Sequence, residues 1–126
     1  MHAAGQLRLW DGERHRIDGN LTLELAAGHT PGSAVVSLES MGESAVFAGD
    51  LLHSPLQVSH PEMDSCFCED PAAARAGRER LLQQAADRRA LLLPAHFGTS
   101  GAARVGRDGD RFTITGWAAF SSGTAA

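Results

Sequence analysis

Apolar positions in this chain fall into short alternating or continuous runs broken by turn residues, a pattern that predicts strands along most of its length. Gln6 to Trp10, Arg14 to Ile17 and Leu21 to Leu25 alternate, or nearly so, between apolar and polar residues. Asp11-Gly12 and Asp18-Gly19-Asn20 separate them as tight turns, which predicts an antiparallel meander. Ser33 to Leu38 and Ala45 to Ala48 predict two further strands, paired because the connection through Glu39-Ser40-Met41-Gly42-Glu43 is short and contains glycine. The second of these is apolar at every position and stops at Gly49-Asp50, so it reads as a strand buried on both faces with a carboxylate at its end. Between Leu51 and Cys68 neither period fits, and a long loop lining a pocket is expected.

The period changes after Asp70. That residue suits an N-cap, and Pro71 suits the first helical position, where its missing N–H costs nothing. Ala74, Gly77, Leu81, Leu82, Ala85 and Ala86 form the apolar stripe of the predicted helix, and Arg75, Arg78, Arg80, Asp87 and Arg88 its wet face. Gly77 weakens the helix by about 1 kcal/mol relative to Ala, a cost that close packing on a sheet would explain. Leu91 to Leu93 predicts a short buried strand, Ala103 to Val105 and Arg111 to Thr115 a hairpin around Asp108-Gly109, and Ser121 to Ala126 a frayed tail. Trp10 and Trp117 are read as core or interface anchors.

Size and composition narrow the picture. With 126 residues the chain holds a single core, and its 43% hydrophobic and 21% charged content is that of an ordinary globular domain. The eleven basic residues are all arginine and are dispersed among acids, giving a net charge of −4 and no basic stripe, so nucleic acid is not an expected partner. No apolar run approaches the ~20 residues of a membrane span, and Met1 to Glu13 lacks the layout of a signal peptide. Cys66 and Cys68 are two positions apart and are read as reduced thiols, which points to a cytoplasmic setting.

The candidate chemistry lies where strands stop. A carboxylate beside buried strand atoms is costly unless paired, hydrogen-bonded or bound to a cation, so Asp50 needs partners. Gly28-His29-Thr30-Pro31-Gly32 and Pro94-Ala95-His96-Phe97-Gly98 each set a histidine in a turn beside an apolar strand. We therefore expect His29, Asp50 and His96 to meet at one sheet edge and bind metal. Any one of these histidines taken alone is more often structural; their order is what favours a metal site. His53 and His60 are read as exposed loop histidines, with pocket lining as the alternative.

The segments GHTPGS (28–33), FAGD (47–50) and PAHFG (94–98), in this order with one helix between the last two, resemble the later metal-ligand motifs of the metallo-β-lactamase superfamily. The stretch GDLLH and the Pro-rich loop after it resemble most the branch of methyl parathion hydrolase-like and lactonase-like enzymes. The resemblance, spanning about Leu21 to Trp117, implies an α+β fold: a mostly antiparallel sheet with one main helix packed on one face, as in the C-terminal half of that family's sandwich. It implies that His29 binds a first zinc ion, that Asp50 bridges two and takes part in catalysis, and that His96 binds the second. Two cations ~3.5–4 Å apart lower the pKa of a shared water enough to make hydroxide near neutral pH, which would attack an ester, lactone or phosphoester of a small-molecule substrate.

One departure matters. The family's first motif, a His-x-His-x-Asp-His cluster, is absent, since no HxH or DH pair occurs here. Residues 1–126 are therefore expected to form one domain equivalent to the C-terminal half only, with an incomplete site, weak metal binding and no robust activity alone. Such a half is expected to expose an apolar sheet face and to bury it by homodimerisation or against a separate N-terminal half. Ser33 stands where many relatives carry a further histidine. Two other readings compete: a non-catalytic half-domain that only associates, and the two-His-one-carboxylate triad of non-haem iron oxygenases. The triad usually draws its His and Asp from one strand, whereas His29 and Asp50 are 21 positions apart.

Overall fold

The computed structural model describes residues 2–98 and 101–118. A seven-stranded sheet runs in sequence order: β1 (Arg14–Arg16), β2 (Leu21–Leu25), β3 (Ala34–Ser40), β4 (Glu43–Gly49), β5 (Leu91–Pro94), β6 (Ala103–Asp108) and β7 (Arg111–Trp117). Every neighbouring pair is antiparallel except β4 and β5, which run parallel. A parallel pair needs a crossover, and the chain between them supplies the one-turn helix α1 (Leu56–Ser59) and the long helix α2 (Pro71–Arg88). The fold is thus α+β, with one main helix against a mostly antiparallel sheet.

Local chemistry explains most element boundaries. The β3–β4 hairpin closes through Met41 and Gly42, both at positive φ (51° and 82°), the two-residue turn whose twist suits a hairpin. Asp70 caps α2 by accepting a hydrogen bond from Ala73 N–H at 3.0 Å, and the helix ends at Arg89, which is left-handed (φ 54°). Gly77 lies against the Leu51 side chain, where an added Cβ would come within 3.2 Å, so the close packing inferred from the sequence is against the segment after β4.

The core lies between α2, α1 and one face of the sheet. Ala48, Leu52, Val58, Leu82, Ala85 and Leu92 are 1% exposed or less and belong to one cluster with Val35, Val46 and Val105. The opposite face is also apolar. Leu21, Leu38, Ala45 and Leu91 stand side by side across β2 to β5, and Leu23, Val36, Phe47 and Leu93 form a second row. None of these eight belongs to the buried cluster, and Phe47 is 43% exposed.

Four expectations need correction. Residues 6–10 form no strand and leave β1 as the edge of the sheet; Leu7 and Leu9 are exposed, so no burial of their side chains rewards pairing there. The segment after Asp50 is not all loop, since Leu56–Ser59 makes a helical turn that buries Val58. Arg78 does not lie on the wet face but is fully buried. Its Nη2 donates to Asp64 Oδ1 at 2.6 Å and its Nε to the Pro61 carbonyl at 2.9 Å, so the loop covers it. Of the two roles read for Trp10 and Trp117, core or interface anchor, the core one falls: Trp10 is half-buried and stacks on His15, and Trp117 is exposed, with an edge contact to Phe97. The tail expected at 121–126 lies outside the described residues, among which no helix is long and apolar enough to cross a membrane.

Gly28 gives a direct test of how the first ligand loop is held. Its φ is 144°, and a Cβ there would sit 2.3 Å from Ala74 N, a backbone atom of α2. Gly28→Ala is expected to destabilise the fold by about 2–3 kcal/mol, read as a lower urea midpoint at unchanged m-value.

Candidate metal centre

Strand direction brings the chemistry together. β2 is antiparallel to β3, and β3 to β4, so β2, β4 and β5 all run the same way. His29 follows β2, Asp50 follows β4 and His96 follows β5, which sets all three at the C-terminal ends of co-directional strands, along one rim of the sheet. In open sheets with parallel strands this rim is where ligands bind.

Each loop is fixed by its own hydrogen bonds. Around His29, Ala26 N–H donates to the Ser33 carbonyl (2.8 Å), and Thr30 N–H donates to the Ser33 hydroxyl (3.1 Å). Ser33 therefore closes the turn. The same loop is tied to the start of α2, because the Glu69 and Asp70 N–H groups donate to the His29 and Gly28 carbonyls. Gly49 takes φ 54°, and its carbonyl accepts from Ala95 N–H at 3.2 Å, which ties the His96 loop to the residue before Asp50.

Asp50 presents its two oxygens to different imidazoles. His96 Nε2 is 2.9 Å from Oδ1, a hydrogen-bond distance, and His29 Nε2 is 3.7 Å from Oδ2. The carboxylate is 45% exposed, so it sits on the rim and not among buried strand atoms as its sequence position suggested. His29 is the most enclosed of the three at 19%. Its other nitrogen, Nδ1, faces Cys68 Sγ at 4.0 Å. Cys66 and Cys68 are both free thiols.

A fourth group, His53, joins them. Its ring centre is 5.0 Å from that of His29 and 5.3 Å from that of His96, stacked nearly parallel to the latter at 6°. Ligand atoms of Asp50, His53 and His96 all lie within 4.8 Å of one another. His53 Nδ1 is buried without a hydrogen-bond partner among the described residues. The sequence reading of an exposed loop histidine is therefore corrected. The available signal was the spacing: Leu51 and Leu52 are core residues, and a turn that hydrogen-bonds Leu51 N–H to the Ala48 carbonyl folds the chain back so that residue 53 returns to the rim. His60 does not take part; it pairs with Glu62 at 3.1 Å.

Three imidazoles around one carboxylate are the donor set of a zinc, copper or iron site, and the orphaned His53 nitrogen is what such a set leaves when its lone pair has no proton donor. Burial, with His29 and His96 close by, holds His53 below its ordinary pKa, while Asp50 opposes that shift. The neutral, electron-pair-donating ring is thus favoured.

Known proteins resemble the chain in sequence and in fold. Residues 6–96 match the family model of the metallo-beta-lactamase superfamily. The chain belongs to that superfamily. Among solved structures it is similar to AidC, described as a dizinc quorum-quenching lactonase in complex with a product. The identity is 25% and the TM-score 0.80, over 94% of this chain and 40% of that one. It is also similar to the hydrolase AbOPH of the beta lactamase superfamily, with 27% identity, TM-score 0.74, and 82% and 36% coverage. A probable metal-dependent hydrolase from Staphylococcus aureus, at 18% identity and TM-score 0.79, shares the fold, with 94% of this chain and 42% of that one covered. The chain spans less than half the length of each. No curated protein matches it.

The depressed His53 pKa has a consequence for stability. The unfolded chain takes up a proton at residue 53 below about pH 6.5 while the folded chain resists it, so stability falls as pH drops from about 6.5 towards the folded value and is level above. Urea midpoints at pH 7.5 and 5.5 should therefore differ more in the wild type than in His53→Gln.

Proposed function

We propose that the chain supplies the His29, Asp50 and His96 ligands of a metal-dependent hydrolase that cleaves an ester, lactone or phosphoester bond in a small molecule. The observation that carries the reading is the split presentation of Asp50, one oxygen toward His96 and the other toward His29, which is what a carboxylate shared by two cations requires. Zinc fits the imidazole and carboxylate donors, and bound divalent cations would supply a Lewis acid that makes water nucleophilic near neutral pH. The chain's own residues orient the donors, and Asp50 keeps two imidazoles facing one point of the rim. The lactonase and hydrolase descriptions of AidC and AbOPH support this class of substrate.

In this reading the site needs a partner. The eight apolar residues on the open sheet face would be covered by a second copy of the chain or by a separate half bearing the remaining ligands, in a compartment where Cys66 and Cys68 stay reduced. That same face favours the second reading, a half-domain that only associates. Mixing the chain with a polypeptide carrying a His-x-His-x-Asp-His cluster, with zinc, should give lactone or phosphotriester hydrolysis that neither component shows alone. Asp50→Ala in that mixture should lower the rate at least about a hundredfold, whereas association without any hydrolysis would favour the second reading. Sedimentation should also detect association of the isolated chain, weakened by Phe47→Glu.

A further inference from the structure

His53 lies outside the three residues of the proposed ligand set, yet it is the best-held group at the rim. Its backbone N–H donates to Gln57 Oε1 at 2.7 Å, and the Ser54 N–H reaches the same oxygen at 3.3 Å. Gln57 is itself buried, and its amide donates onward to the Met63 carbonyl at 2.8 Å. A buried glutamine that accepts from the backbone of residues 53 and 54 and donates to residue 63 fixes where the His53 ring can go. Leu51 and Leu52, 4% and 0% exposed, pin the segment from the other side. The ring so placed lies between His29 and His96, with Nδ1 buried and unpartnered. A buried nitrogen without a partner among the described residues is unfavourable, and a ligand at that atom would satisfy it.

We infer that His53 is a ligand, and that Asp50, His53 and His96 together hold one divalent cation within this chain alone. Three protein ligands with an open fourth position are what a reactive zinc site uses. Their donor atoms lie within 4.8 Å of one another. Two nitrogens on one tetrahedral zinc, each about 2.1 Å from the ion, are about 3.4 Å apart, so the cluster contracts by little more than an ångström on loading. The 6° stack of His53 on His96 is relieved by rotating one ring about its Cβ–Cγ bond. On the other side of Asp50, His29 is the one imidazole paired with Oδ2 among the described residues, so the second cation position stays open until a partner completes it. The two positions are thus unequal: one is closed by this chain and one is not. This rests on the metal-site reading above, but assigns a ligand that the three-residue set omits.

The test is cobalt or zinc titration of the isolated chain, read by stoichiometry and by the visible absorption of bound Co²⁺. The wild type is expected to bind one ion per chain. His53→Ala should weaken binding at least tenfold, as should Asp50→Ala and His96→Ala, while His29→Ala changes it less than threefold. Because His53→Ala could unsettle the loop, His53→Gln is run beside it, with circular dichroism to verify the fold. Imidazole ¹⁵N shifts of the wild type with and without Zn²⁺ report the ligand without any substitution, and the His53 ring is expected to move. Binding that survives both His53 variants, with unmoved His53 shifts, but fails in Asp50→Ala or His96→Ala overturns the inference and leaves the metal-site reading standing. A wild type that binds neither ion overturns both.

Discussion

The parallel pairing of β4 with β5 is the constraint on which the molecule depends. Six strand pairs make the sheet, and the other five could be built from hairpins and short turns; this one cannot. It forces the chain out of the sheet after Gly49 and back at Leu91, and what lies between becomes both the cover of the core and the support of the rim. Because the strands on either side of that gap run the same way, Asp50 and His96 leave the sheet at the same end. The Ala95 to Gly49 hydrogen bond ties the two loops together, and His96 and Asp50 meet at hydrogen-bond distance. The geometry of the candidate site follows from strand direction first and from side-chain choice second.

Much of this was legible from residue order. β2 through β7 and α2 follow from period and punctuation, because each has a buried face that enforces one register and a turn residue that ends it. Asp70, Pro71, Gly42 and Gly109 are local signals and were read locally. The trio of His29, Asp50 and His96 was legible because strand ends are. The failures have a common physical origin. Leu7 and Leu9 alternate like a strand, but alternation cannot say whether a partner exists. Arg78 looks like wet surface on a helical wheel, yet the wheel knows nothing of a loop that later folds over it. His53 was missed for the converse reason. It stands in a segment with no period, and its place at the rim comes from tertiary contacts of Leu51, Leu52 and Gln57, none of which period or propensity records.

The sheet has two apolar faces, and the described residues cover one of them. On the helix side, α2 presses close enough that a side chain at Gly28 would collide with its backbone and one at Gly77 would crowd Leu51. On the other side, eight aliphatic and aromatic positions align in two rows across four strands. These residues shield one another in part, which is why most are only half exposed, but they have no second layer. Domains of this type gain their stability from two packed layers, and a contiguous apolar sheet face is uncommon on a surface left to water.

The buried Arg78 also decides how the loop after β4 responds to its surroundings. Its guanidinium reaches Asp64 and the Pro61 carbonyl from a position with no solvent contact, and Arg75 adds a second hydrogen bond to Asp64; together the two arginines hold that carboxyl below the usual carboxylate range. Arg78 itself is closed to solvent, but Asp64 and Arg75 are 26% and 46% exposed, so counter-ions reach the carboxyl end of the clamp as they reach exposed pairs such as Arg88 with Glu39. The loop that follows His53 is therefore fastened to α2 at two unlike points, a carboxyl that dissolved salt can screen and a carbonyl that it cannot, so raising the salinity should slacken the first and leave the second in place.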